Sequence, residues 1–232
     1  MDAHLSDIHG KLKTVLWGET WLDISLYLLF LSFFLSPFID SSTARLLVSS
    51  LVFSMLMIAG VMSMSRRASI RFTAGMVAVI AITLRWMRHV VPTPTIETAG
   101  SIAVLVFMIM LIVVTLTKVF SKGRVTAHRV KGAIAVYLLI GLTFSVLYGL
   151  LDQLLPFAFD LPAKLEDVTS LRQELLTYFS FITLTTLGYG DITPTHEITR
   201  MFAIMEGLFG QLYPATLLAR LVSLSLMPQG DE

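Results

Sequence analysis

The chain has 232 residues, 55% of them hydrophobic and 14% charged, with a net charge of +1 and a mean hydropathy of +0.79. A soluble domain carries about 25% charged residues, so there is too little polar side chain to clothe a water-facing surface, and a soluble or secreted protein is excluded. The charge balance gives no basis for a nucleic-acid partner, and the absence of cysteine removes disulfides, thiol chemistry and thiolate metal sites.

Residues 1–20 carry both signs of charge and no apolar run of signal-peptide length. Leu5, Ile8, Leu12, Val15 and Leu16 recur at helical spacing, so a helix lying on the cytoplasmic membrane surface and a disordered cytoplasmic tail both fit. Six apolar segments follow, over 21–39, 46–64, 72–91, 100–120, 132–155 and 197–226. Each approaches the roughly 20 residues that a helix needs to cross a bilayer. A shorter piece, LRQELLTYFSFITL (171–184), lies between the fifth and sixth. It is too short to span, as a re-entrant helix is. The twelve methionines fall mostly inside the apolar runs, where they serve as flexible filler.

Loop charge orients these segments. With the N-terminus inside, Lys11, Lys13, Arg66, Arg67, Arg71, Lys118, Lys122, Arg124, Arg129 and Lys131 are cytoplasmic, against Arg45, Arg88 and Lys164 outside. Positive charge gathers on the cytoplasmic side, so both termini are expected there and 156–196 faces outward. The basic linker 118–132 separates a four-helix unit (21–120) from the rest (132–226), and its charge suits anionic headgroups. Residues 227–232 form a short cytoplasmic tail.

One stretch does not fit a membrane helix. TLTTLGYGD (183–191) is rich in Thr and Gly, and non-helical backbone at membrane depth is tolerated only where it is buried in protein or lines a watery cavity. Gly188 and Gly190 take positive φ without steric cost, which lets successive carbonyls turn to one side. A single chain offers one wall of such a site, so several copies around an axis are needed to close it.

Thr186-Leu187-Gly188-Tyr189-Gly190-Asp191 resembles the selectivity filter of potassium channels, whose consensus is TVGYG followed by Asp. In that family four such loops replace the hydration shell of K⁺ with carbonyl oxygens. The resemblance covers about 130–226, with outer helix, re-entrant pore helix, filter and inner helix in that order. It implies ion contact through the carbonyls of Thr186, Leu187, Gly188 and Tyr189, with the Thr186 hydroxyl as the innermost ring and Gly190 closing the filter. It places Tyr189 outward against the pore helix, and Asp191 behind the outer mouth, bonded to Tyr178, with Thr185 supporting from the pore helix. Leu187 departs from the commoner Val, and Ile182 stands where some members carry an acid, so no carboxylate pair is expected behind the filter.

The pore helix has its own signals. Ser170 and Gln173 have capping-box spacing, Glu174 is expected in the first turn, and the C-terminal end near Leu184 and Thr185 is expected to aim its negative dipole at the pore axis. In the last segment Gly207, Gly210 and Pro214 suggest a gating bend, with close helix packing as the other use of small residues. The stretch GQLYPATLLARLV also resembles the inner-helix ending of bacterial two-helix-pore channels. Glu206 and Gln211 are costly in lipid and should face protein or water.

Voltage sensing requires repeated arginines in the fourth segment, and GSIAVLVFMIMLIVVTLTKVF has none. Arg85 and Arg88 on the third segment are expected to snorkel outward or pair with Asp40. His128 in the linker is a titratable candidate, with ordinary solvation as its bland role. With six residues after Leu226, gating by a cytosolic domain of this chain is not expected. The expected molecule is an all-α integral membrane protein of six transmembrane helices, with a re-entrant pore helix and filter loop between helices five and six. It would be a homotetrameric, passive K⁺-selective channel in a prokaryotic plasma membrane, with no catalysis and no cofactor other than K⁺ as cargo. The alternatives are a non-conducting or weakly selective membrane sensor or scaffold built on a channel pore, or a voltage-gated channel with an atypical sensor.

Overall fold

The computed structural model describes residues 42–63, 68–121, 126–161 and 169–225, with Ile24, Tyr27, Leu28, Leu31 and Ile39. The expected N-terminal segment 1–20, most of the first apolar segment, Asp40, the side chain of His128 and the tail 227–232 lie outside the described residues. Six helices and a two-residue ladder make up the rest: α1 (Ser42–Ser63), α2 (Ala68–Met87), α3 (Pro94–Val119), α4 (Ala127–Leu154), β1 (Phe159–Asp160), α5 (Thr169–Leu184), β2 (Thr193–Pro194) and α6 (Glu197–Ser225).

The helices α1 to α4 contain spans long and apolar enough to cross a membrane, the last of them over Arg129–Leu154. At 29 residues, α6 is about 44 Å long, but Glu197, Arg200, Glu206, Gln211 and Arg220 make it less apolar than those four. The 16 residues of α5 reach only about 24 Å, short of the roughly 30 Å hydrocarbon core.

Helix ends differ from the apolar runs because caps, not hydropathy, decide them. Instead of beginning at 100, α3 begins at Pro94: Thr93 is extended and its hydroxyl accepts from the Ile96 N–H, Pro94 sits in the first turn and Glu97 beside it. These are N-terminal signals. Conversely α2 stops at Met87 and not 91, and Val90 stands 81% exposed in the turn beyond it. Pro92 follows closely, and the residue before a proline is driven out of the helical region. At the opposite end, the Lys118 ammonium donates to the Ser63 carbonyl, placing a cation on the C-terminus of α1.

Two apolar clusters form, and α4 belongs to both. The first joins Leu56 and Met57 of α1, Ala74, Ala78 and Ala81 of α2, and Phe107, Met108 and Leu111 of α3 to Leu139 and Leu142 of α4, with Leu28 against its edge. The second joins Val136, Ile140, Phe144 and Tyr148 of α4 to Leu176, Phe179 and Leu184 of α5 and Tyr213 of α6. Tyr148, Phe159 and Phe179 meet edge-to-face in pairs, with centroids 5.2–5.5 Å apart, the arrangement that aromatic quadrupoles prefer. The β1–β2 ladder pairs Phe159 with Pro194 and Asp160 with Thr193, so the segment entering α5 is tied to the segment leaving its loop.

Arg85 of α2 does not snorkel outward as the sequence suggests, and its alternative partner Asp40 lies outside the described residues. Arg85 turns inward: its guanidinium donates to Ser49 at 3.2 Å and lies 4.4 Å over the Phe53 ring, both on α1. An aromatic face and a hydroxyl one turn apart give a cation a partner inside the bundle that the α2 sequence does not reveal. Beside it Trp86 donates to Ser54 at 3.2 Å, and His89 shares a hydrogen bond of 3.0 Å with Ser50. Phe107 is wholly buried at the centre of the first cluster; Phe107→Ala should cost about 3–5 kcal/mol, seen as a lower unfolding midpoint of the detergent-solubilised protein.

Candidate functional site

The loop from Thr185 to Asp191 joins α5 to β2, and all seven of its residues are exposed on the single chain. Its conformation is set by two carbonyls near the end of α5. The Thr186 N–H donates to Thr183 O at 2.9 Å, and the N–H groups of Leu187 and Gly188 both donate to Ile182 O, at 2.9 and 3.2 Å. No peptide bond here is cis, and in a trans peptide each N–H points opposite to the preceding carbonyl. Three N–H groups turned into α5 therefore turn the carbonyls of Thr185, Thr186 and Leu187 away from it, towards open space.

The backbone alternates in sign to achieve this. Thr186 has φ +60°, Gly188 +54° and Gly190 +79°, with Leu187 and Tyr189 on the negative side. Glycine accepts such values freely. Thr186 does not: a β-branched residue in the left-handed region is an outlier, and such positions cost about 1–3 kcal/mol each. The strain sits on the threonine whose hydroxyl and carbonyl the resemblance to potassium-channel filters gives to the ion.

Around the loop, the Tyr178 hydroxyl donates to Asp191 at 2.9 Å, the pair named from sequence. Thr185 spends its hydroxyl on Phe181 O at 2.6 Å, a local back-bond that stiffens the last turn of α5. On the single chain, Tyr189 and Leu187 are 68% and 59% exposed.

The N-terminal signals of α5 are also used otherwise. Ser170 falls within the helix, which is described from Thr169, and its side chain lies outside the described residues. The Gln173 amide donates across to Ser145 of α4, at 3.2 Å to the carbonyl and 3.1 Å to the hydroxyl. Glu174 is beyond the first turn and lies 3.6 Å from the Arg45 guanidinium, which links the first helical unit to α5. A fork between Arg172 and Asp152, not anticipated from sequence, fixes the same end of α5 to α4. At the other end the Leu184 carbonyl is not free to act on the loop, because the Tyr137 hydroxyl donates to it at 3.2 Å.

The proposed bend residues separate into different environments. A Cβ on Gly210 would run into the backbone of Leu184, 2.8 Å from its carbonyl carbon, so Gly210 is where α6 and the end of α5 touch backbone to backbone. Gly207 has nothing within 4 Å of such a Cβ. Pro214 lies inside the continuous helix α6. One turn above Gly210, Glu206 is fully buried; the Tyr148 hydroxyl donates to its Oε2 at 2.7 Å, and its Oε1 lies 2.5 Å from Ser180 Oγ. Sequence flagged Glu206 as expensive in lipid, but its partners come from two other helices and carry no local signal.

Residues 173–225, spanning nearly all of α5, the loop and α6, match a protein-family model described as an ion channel. A stretch of 46 residues, 20% of this chain, is 46% identical to part of two-pore potassium channel 3 of Arabidopsis thaliana. The chain spans only 11% of that relative's length. No solved structure matches the chain. The chain thus combines helices of membrane-crossing length with a segment matched to ion channels.

The Gly210 contact gives a direct test. Gly210→Ala should lose about 1–3 kcal/mol through overpacking against an immovable backbone, whereas Gly207→Ala should stay within about 0.5 kcal/mol. Thermal unfolding of the two purified variants separates them; equal midpoints would contradict the packing assignment.

Proposed function

We propose that the chain is one subunit of a potassium-selective channel, a homotetramer in a prokaryotic plasma membrane with both termini cytoplasmic. Six helices cross the bilayer, and α5 enters it part way to deliver the filter loop. K⁺ is coordinated by the carbonyls of Thr186, Leu187, Gly188 and Tyr189 and by the Thr186 hydroxyl, with Gly190 ending the filter. Asp191, Tyr178 and Thr185 hold its shape. Flux is passive, and the basic linker at 118–132 rests against anionic headgroups.

The observation that carries this reading is the alternation at 186, 188 and 190, with the N–H groups of Thr186, Leu187 and Gly188 spent on α5. This first half of the loop has used its donors internally and turns the carbonyls of Thr185, Thr186 and Leu187 outward, and a partner suited to such acceptors, brought together from several copies, is a cation. Exposure of the whole loop on one chain supports a site shared among copies, because a lone wall cannot replace a hydration shell. The contact of Gly210 with Leu184 moves the proposed bend of α6 from Gly210 to Pro214, where a missing backbone donor lets the lower helix swing without separating α6 from the filter helix.

Purified protein in liposomes tests the reading. K⁺ flux should greatly exceed Na⁺ flux; equal rates would remove the selectivity claim, and no flux of either ion would favour a non-conducting sensor. Gly188→Ala places a side chain at φ +54°, at a cost of about 1–2 kcal/mol. K⁺ flux should then drop by about tenfold or lose its preference over Na⁺; wild-type behaviour would show that the loop is not the filter.

A further inference from the structure

Glu206 belongs to no part of the filter, yet among the described residues of α4 to α6 it is the one fully buried acid. It sits at the meeting point of three helices, on α6, against Tyr148 of α4 and Ser180 of α5, and none of its surface is exposed. This burial is complete within one chain, so a neighbouring copy cannot reach the carboxyl. The groups facing it are the Tyr148 phenol and, farther off, the Tyr137 phenol, both on α4. From α5 comes only the Ser180 hydroxyl, since Arg172 is paired with Asp152 and Glu174 with Arg45 at the far end of that helix. No lysine, arginine or histidine among the described residues pairs with it.

Hydrogen counting then decides its state. Ser180 Oγ lies 2.7 Å from the Gly141 carbonyl oxygen and 2.5 Å from Glu206 Oε1, and each of those O···O contacts needs a hydrogen between the two oxygens. A serine hydroxyl has one. If it goes to Gly141 O, an acceptor only, the hydrogen in the second contact must come from Glu206. The carboxyl then donates through Oε1 to Ser180 and accepts through Oε2 from Tyr148 at 2.7 Å, and every group is satisfied. With Glu206 ionised, one contact would be two bare oxygens pressed together.

The adjacent network shows that such accounts close elsewhere. Thr177 Oγ1 donates to Gln173 O at 2.8 Å. Ser145 Oγ, 2.7 Å from Thr177 Oγ1, donates to it and accepts from the Gln173 amide at 3.1 Å. One hydrogen per hydroxyl suffices there. The Ser180 chain is one hydrogen short without the acid.

Its place in the fold gives this proton a task. Glu206 meets Ser180 and, one turn along both helices, Gly210 meets Leu184, so residues 206 and 210 of α6 are in register with 180 and 184 of α5. Two residues beyond Ser180 is Ile182, whose carbonyl holds the Leu187 and Gly188 N–H groups. Resting on the channel reading above, we propose that Glu206 is kept as a neutral carboxylic acid whose proton completes a hydrogen-bond chain from α6 through Ser180 to Gly141 of α4, making it a positioning residue for the filter. Removing that proton leaves a buried anion without a counter-charge and two oxygens without a hydrogen, and conduction falls on alkalinisation.

The test uses the full chain in liposomes and follows K⁺ flux from neutral to strongly alkaline pH. Wild type should fall by about tenfold, the effect of one broken buried hydrogen bond. Glu206→Gln, whose amide donates to Ser180 and accepts from Tyr148 at once, should conduct with no alkaline fall, and Glu206→Ala should conduct poorly at every pH. An alkaline fall of equal size in wild type and Glu206→Gln, or none in wild type, would overturn the proposal. Two readouts decide the proton independently of transport: a carboxylic-acid carbonyl band in the infrared spectrum that disappears in Glu206→Gln, and an unfolding midpoint that drops with rising pH in wild type only. Wild type lacking the band would sink the proton assignment. Wild type showing band and midpoint shift but passing no ions would uphold the neutral acid and sink the channel reading alone.

Discussion

Two carbonyl oxygens, those of Ile182 and Thr183, accept three N–H groups from the loop beyond them, and α4 to α6 are arranged around keeping those oxygens where they are. Ending a helix leaves its last carbonyls without partners. Here the chain doubles back and spends its own donors on them, which leaves the loop presenting carbonyls. The chemistry of the loop is thus a by-product of how α5 stops. A helix that ran one turn further would consume those carbonyls in its own ladder.

The supports around α5 follow from that requirement. Arg172 and Gln173 bind its beginning to α4, Ser180 and Glu206 bind its middle to α6, and Tyr137 and Gly210 meet the Leu184 carbonyl. Glycines on α4 let the helix come close: a Cβ on Gly141 would lie 2.5 Å from the Phe181 ring. The first helical unit reaches the same helix through Arg45 and Glu174, and reaches α4 through a common apolar cluster. Movement of α1 to α3 therefore has two routes into the unit formed by α4 to α6, one apolar through α4 and one ionic near the start of α5.

What the sequence disclosed and what it concealed divide along a physical line. The presence of long apolar helices, the short length of α5 and the odd composition of 183–191 are local properties, visible in hydropathy and residue type. The Tyr178–Asp191 pair could be named because the resemblance supplied a register between helix and loop. Contacts across helices had no such guide. Nothing in the run around Arg85 reveals that α1 offers it Ser49 and Phe53, and nothing near Gly210 reveals the Leu184 backbone opposite. Gln173 looked like a capping residue by spacing, but Ser145 on α4 outcompeted the local partner. Helix ends were displaced for a related reason: apolar runs mark where lipid or core contact is wanted, while Thr93, Pro94 and Pro92 mark where the backbone can start and stop.

The alternating backbone of the loop also has a frame, in the sense that a coded message has one. Left-handed residues stand at 186, 188 and 190, so the pattern has a period of two and its phase is fixed by the hydrogen bonds to Ile182. Side-chain replacement at an even position strains one residue. Adding or removing a single residue between 185 and 190 does something different in kind: it shifts the phase of everything downstream, moving Tyr189 into a left-handed slot and a glycine out of one. Carbonyls past the change would then face the opposite way. The stretch should accordingly tolerate some substitution but no change of length by an odd number of residues, a parity rule imposed by backbone geometry alone.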